Sequence, residues 1–261
     1  MGPAGGGVDE WTLAFLVVAN FVASFIDSQV GGGGVITLPA LLAAGLPPTA
    51  TSATNKVGGT SSALFASANY LRSGLVPRRH LLLFAPLSLL GGAIGVWMFL
   101  HSDPSWLVPA VLAVMGAMAL YVLLRPRFGV DDHLVLGALP LVAMGLAALD
   151  IGTYDGLMGP GTGSFLLFGL VSLLGYGFRR AAALGRVLNL ASNVSALAYW
   201  IWSGHVVWAV GIPMGISMAA GGWIGSHTTL KHGDRYLKPL FIAITAALMV
   251  RLVGRLAGWW A

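Results

Sequence analysis

The chain contains no cysteine. That excludes disulfide frameworks, thiolate metal sites and cysteine nucleophiles. Charge is scarce as well. Asp, Glu, Lys and Arg make up 9% of the 261 residues, against roughly 25% in an ordinary soluble domain. No stretch is long and polar enough for a soluble domain or a linker. The 14 basic residues give a net charge of +5 but are too scattered for a nucleic-acid groove, so no nucleic-acid partner is expected. No two of the six histidines stand four apart, so neither a metal site nor another cofactor is expected. With no nucleophile or metal cluster in view, an intramembrane enzyme is not expected either. Asp9 and Glu10 stand where a secretory signal would carry basic residues, so residues 1–10 are expected to be a short extracytoplasmic lead.

What the chain has in excess is apolar surface. Hydrophobic residues make up 57%, and the mean hydropathy is +0.83. A soluble fold would have nothing to offer water with that composition. A helix crosses a bilayer in ~20 mostly apolar residues. The expected class is therefore an all-α polytopic membrane protein, with the lipid bilayer as its first partner. The apolar runs are too long and continuous for the alternating, roughly ten-residue strands of a membrane β-barrel.

Ten segments are expected, at 11–26, 34–45, 50–71, 80–101, 105–124, 134–152, 161–175, 180–202, 206–229 and 236–258. The segments 34–45 and 161–175 are short, and each follows a glycine-rich break. Short interrupted segments in matching positions predict half-helices or re-entrant hairpins. Four connections, 72–80, 125–133, 175–180 and 230–238, hold ten of the 14 basic residues, and those near 45–50, 101–105 and 202–206 hold none. The positive-inside rule then places the basic loops in the cytoplasm and both termini outside.

The two halves repeat. A shift of 130 lays Gly45 on Gly175, Ser62 on Ser192, Ser73-Gly74 on Ser203-Gly204, and Gly91-Gly92 on Gly221-Gly222. Upstream the shift is 128, laying Asp27 on Asp155, Gly31 on Gly159 and Gly33 on Gly161. Residues 11–130 form the first repeat and 131–261 the second. Five segments per repeat is an odd number, so the second repeat enters from the opposite side. That is a 5+5 inverted repeat, a common plan of secondary transporters.

The two breaks contain Gly31, Gly32, Gly33 and Gly34 in the first half, and Gly159, Gly161, Thr162, Gly163 and Ser164 in the second. A helix restarting after each would aim free N–H groups and roughly half a positive charge at the break, which favours an anion. Backbone N–H groups at Gly33 and Gly161 are expected to hold its oxygens. Close helix packing is the alternative use of such glycines. Lys56 and Arg186 are equivalent under the 130 shift and lie within their segments. A cation at a helix centre costs about 2.5–3.5 kcal/mol on insertion scales, so each needs compensation. A bound anion would supply it, and so would snorkelling or pairing with Asp27, Asp150 or Asp155. Asn55 and Asn189 stand beside the cations, as anion ligands or as helix-joining amides. Asp27 and Asp155 are candidates for proton coupling, for capping, or for charge pairing.

Taken in order, the two breaks, Gly45-Leu-Pro-Pro, Gly175-Tyr-Gly-Phe-Arg-Arg-Ala and the stretch from Gly185 to Asn193 resemble the sulfite exporter TauE/SafE family. The likeness covers nearly the whole chain. It implies an inner-membrane exporter of sulfite or small organosulfonates. The residues themselves reach only a small anion. The expected function is alternating-access export of a small oxyanion, with a passive anion channel as the alternative and a homo-oligomer compatible with either.

Overall fold

The structure, a computed structural model, describes residues 9–101, 129, 131–135, 137–233, 236–237, 239–243 and 250. The expected fifth segment, at 105–124, lies outside the described residues, as does much of the tenth. Among the described residues the chain is all helical, with no strand. Eight helices follow in order: α1 (Glu10–Val30), α2 (Gly34–Ala43), α3 (Pro48–Arg72), α4 (Arg78–His101), α5 (Ala138–Leu157), α6 (Thr162–Leu174), α7 (Phe178–Trp202) and α8 (Trp208–His232).

Local chemistry explains the boundaries. Asp9 caps α1, accepting from the Thr12 N–H at 3.0 Å and the Thr12 hydroxyl at 2.6 Å. Pro48 starts α3 at a position where its missing N–H costs nothing. Glycines at positive φ end α1 (Gly31, 83°) and α6 (Gly175, 70°). One expectation shifts. The sequence predicts ends near 26 and 152, but α1 runs to Val30 and α5 to Leu157. The glycines stop these helices and the carboxylates do not. Asp27 and Asp155 therefore stand in helical turns ahead of the breaks.

The two sets of four helices pack by exchange. A side chain added at Gly91 would meet Leu149, Gly152 and Thr153 of α5. One added at Gly221 would meet Phe21, Ser24 and Phe25 of α1. Leu149 and Thr153 are the 128-shift equivalents of Phe21 and Phe25. Likewise Gly92 abuts the Ser192 carbonyl, and Gly222 abuts the Ser62 carbonyl. So α4 lies on α5 and α7, as α8 lies on α1 and α3. Glycine at these crossings brings backbones together where a larger side chain would hold them apart.

Polar side chains are buried beside the apolar core, and large apolar side chains cover the surface. Lys56, Thr54 and Ser62 of α3 and Arg186, Asn189 and Ser192 of α7 are buried, while Trp11, Leu82, Leu139, Ile216 and Trp202 are exposed. Such a surface suits lipid and not water. Three described helices, α1, α4 and α5, are long and apolar enough to cross a bilayer. At 25 residues each, α3 and α7 are long enough too, about 37 Å, but their polar side chains are turned inward. With 10 and 13 residues, α2 and α6 reach only about 15–20 Å.

Candidate functional site

The breaks meet at the centre of the fold. Gly31 lies so close to Gly163 and the Ser164 N–H that a side chain there would overlap their backbone. The Ser164 hydroxyl donates to the Val30 carbonyl at 2.8 Å, tying the start of α6 to the end of α1. Gly34 faces Pro160 in the same way. Two half-helices thus start side by side, one from each half.

Three buried ionic groups, Lys56, Asp155 and Arg186, and the half-buried Asp27 pair across the halves. Lys56 of α3 contacts Asp155 of α5 at 2.9 Å, and Arg186 of α7 contacts Asp27 of α1 at 2.5 Å. The two pairs are equivalent under the repeat. Each joins the end of a broken helix in one half to the polar helix of the other. Their four formal charges cancel.

Hydroxyls and amides complete both pairs. The Asp155 carboxylate accepts from Thr162 at 3.1 Å and from Ser192 at 2.7 Å. Arg186 donates through Nη1 to Asn189 at 3.2 Å and through Nη2 to Ser62 at 2.5 Å. Ser62 and Ser192 are themselves repeat equivalents. The Gly33 N–H donates to Asp27 Oδ1 at 3.0 Å. The N–H expected to hold a substrate oxygen is thus taken by Asp27 in this form. Asp27 lies one turn back from the break and reaches it first.

Between the breaks lies a cavity of about 30 Å³, room for about two waters. Asp27, Gly33, Gly34, Asn55, Lys56, Asp155, Gly159, Thr162, Gly163 and Asn189 line it. Gly31, Gly32, Gly161, Ser164 and Arg186 do not: Gly31 and Ser164 join the breaks, and Arg186 is engaged by Asp27, Asn189 and Ser62. The lining also contains Thr37, Gly59, Asn193 and Met218, which sequence reasoning did not assign to the site. Gly59 faces the Asn193 side chain, where a Cβ would come within 2.9 Å of its oxygen. Thr37 had no polar neighbour in sequence to draw attention to it. Its position one turn beyond the first break was the available signal.

Chemically, the site offers one free face of an ammonium, amides and hydroxyls, and two helix N-termini. The N-termini are oriented to favour negative charge. Proteins of similar sequence agree with a transport role. The sulfite exporter TauE/SafE model matches residues 16–252. A probable membrane transporter protein, ORF9, of a Sinorhizobium species is 40% identical over 92% of this chain and 92% of its own length. A probable membrane transporter protein of Haemophilus influenzae is 33% identical, covering 95% of this chain and 96% of its own length. The probable membrane transporter protein YfcA of Escherichia coli K12 is 31% identical, covering 94% and 91%. No solved structure matches. A match over nearly the whole chain, a span that contains both breaks, shows that this chain belongs to the sulfite exporter TauE/SafE family of membrane transporters.

Proposed function

We propose that the chain is a secondary transporter that exports a small oxyanion, sulfite or a short organosulfonate first, across the inner membrane. The observation that carries the reading is the crossed pair of ion pairs beside a cavity between two duplicated helix breaks. A 5+5 inverted repeat accounts for the exchange of contacts between halves. The basic loops face the cytoplasm and both termini face outward.

In the compact form the carboxylates of Asp27 and Asp155 occupy the cations. An arriving anion competes with them for Lys56 and Arg186. The N-termini of α2 and α6 add roughly +0.5 each, together about the charge of one monoanion. They offset the net negative charge that loading brings. A loaded site thereby loosens the ion pairs that tie the halves together, and the halves become free to move relative to each other. That links binding to alternating access. The small cavity favours compact substrates and requires the site to widen on loading. The sulfur assignment draws on the family, and the anion assignment on the residues.

Proteoliposomes test both. Saturable, uphill movement of sulfite or methanesulfonate is the expected result. Downhill flux set by membrane potential alone would leave a passive anion channel. Chloride flux without any sulfur oxyanion would keep the anion site and remove the exporter. Saturable flux of a neutral or cationic solute, unaffected by any anion, would overturn both.

A further inference from the structure

We infer that the Thr37 hydroxyl binds the substrate, donating a hydrogen bond to one oxygen of the anion. The inference rests on the small-anion reading above and adds a group to its site. Thr37 stands one turn into α2, lines the cavity and is 1% exposed. Its hydroxyl has no hydrogen-bond partner among the described residues.

A helical threonine ordinarily satisfies itself by bonding back to a carbonyl one turn earlier. Thr153 does so to Leu149 at 3.0 Å, and Thr228 to Ile224 at 2.9 Å. For Thr37 that acceptor is the Gly33 carbonyl, and it is already taken. The N–H groups of Ile36 and Thr37 both donate to it, at 2.9 and 3.1 Å. The hydroxyl is therefore left without a partner in a residue of the cavity wall, and a buried hydroxyl without a partner is unfavourable until the site widens and something bonds to it.

The repeat sharpens the point. Under the 128 shift the equivalent of Thr37 is Phe165, whose ring packs edge-on to Tyr154 at 5.3 Å. The second half has an aromatic pair at the equivalent place, and neither ring lines the cavity. The first half leaves a donor. Asn55 lines the same cavity, and its amide makes no hydrogen bond among the described residues. Its equivalent is Gly185. The Asn189 side-chain NH2 of the second half also lines the cavity without an acceptor among the described residues, so the two unpartnered donors of the first half face a third from the second. Because the four ionic groups cancel, these neutral donors and the helix N-termini carry the discrimination. Their chemistry selects a ligand with several oxygen acceptors, such as a sulfur oxyanion.

The test uses the full-length chain in detergent, with sulfite and methanesulfonate as probes and thermal stabilisation as the readout. Thr37→Val keeps the shape and removes the donor. Without anion it is expected to melt no lower than the wild type. Its half-saturating sulfite concentration is expected to rise roughly tenfold or more, as for loss of a hydrogen bond to a charged group. Thr37→Ser should restore most of the affinity. Should the valine variant fail to fold, Thr37→Ala carries the same comparison. A valine variant protected at wild-type concentrations would overturn the Thr37 assignment and leave the anion site intact. So would one that melts early yet binds normally, since that marks a structural hydroxyl. Wild-type protein protected by neither anion would remove the anion reading itself, and Thr37's role with it.

Discussion

The two breaks share a plan but not a setting. Asp155 is held by Lys56, Thr162 and Ser192, and its side chain is 3% exposed. Asp27 is held by Arg186 and the Gly33 N–H, and its side chain is 18% exposed. The helix after the second break, α6, is buried along Leu166, Leu167 and Leu170 in the largest apolar cluster. The one after the first, α2, packs through Ala40 and Leu41 against the smaller cluster of Leu16, Val210 and Met214. The charges stand at matching sequence positions, Asp27 and Asp155 under the 128 shift and Lys56 and Arg186 under the 130 shift. The surroundings then made one pair dry and closely held, and the other wetter and less constrained. The first break is the half expected to yield to substrate.

The largest effect tests whether the halves are inverted at all. The turns at Ser73-Gly74 and Ser203-Gly204 are repeat equivalents, with glycine φ of 73° and 74°. An inverted repeat puts them on opposite sides of the membrane. In intact cells an impermeant thiol reagent should label Ser203→Cys and not Ser73→Cys, in a chain without native cysteine. Equal labelling of the two would break the comparison at its root.

Next come the ion pairs. Lys56→Met strands a buried carboxylate and should cost about 3–5 kcal/mol. Arg186→Met strands one that water partly reaches and should cost about 1–3 kcal/mol. Lys56→Met combined with Asp155→Leu should recover much of the first loss, because no charge is left behind. Melting temperatures in detergent decide the ranking. A larger loss at Arg186 would reverse which half is the fixed one.

Smaller changes follow at the helix crossings. Gly92→Ala and Gly222→Ala each force a methyl against a serine carbonyl, at Ser192 and Ser62, and each should cost about 1–3 kcal/mol. The contact at Gly92 is the closer, and the Ser195 hydroxyl also crowds it, so its variant should melt lower. Equal melting would mean that the crossings relax alike.

The smallest effect concerns the entry to α7. The Asp132 carboxylate accepts from the Gly177 N–H and from Arg180, both at 2.7 Å. Partial burial pushes this carboxyl up, but the Gly177 N–H and the Arg180 guanidinium outweigh it and hold it below its ordinary 3.8. A depressed folded value stabilises the fold above the unfolded pKa. That contribution disappears as pH falls through the folded value. The pair is about a third exposed, so Asp132→Asn should cost no more than about 1 kcal/mol at neutral pH. The gap to wild type should close as pH drops below 3.8. At the start of α3 Pro48 takes the first helical position, so that end should show no such pH dependence.

Much of this was legible in the chain. Apolar length and the scarcity of charge dictate membrane helices, because a bilayer offers backbone groups no partner outside a helix. The 128 and 130 shifts located both breaks, both cations and both carboxylates before any contact was known. Glycine runs marked where α1 and α5 end, since positive φ is cheap only for glycine. What one dimension could not carry was the pairing. Lys56 had three carboxylates to choose among, and only the tertiary structure, in which α3 and α5 both pack on α7, selects Asp155. Asp27 reaches the Gly33 N–H because α1 continues one turn past its expected end, which hydropathy does not register. Thr37 is an ordinary threonine in sequence. It is left without a partner because two N–H groups converge on one carbonyl, and it lines the cavity because α2 and α6 start side by side. Composition and periodicity report which residues must leave water. Which of them meet is settled by helices crossing at glycine, where the contacts come from distant parts of the chain.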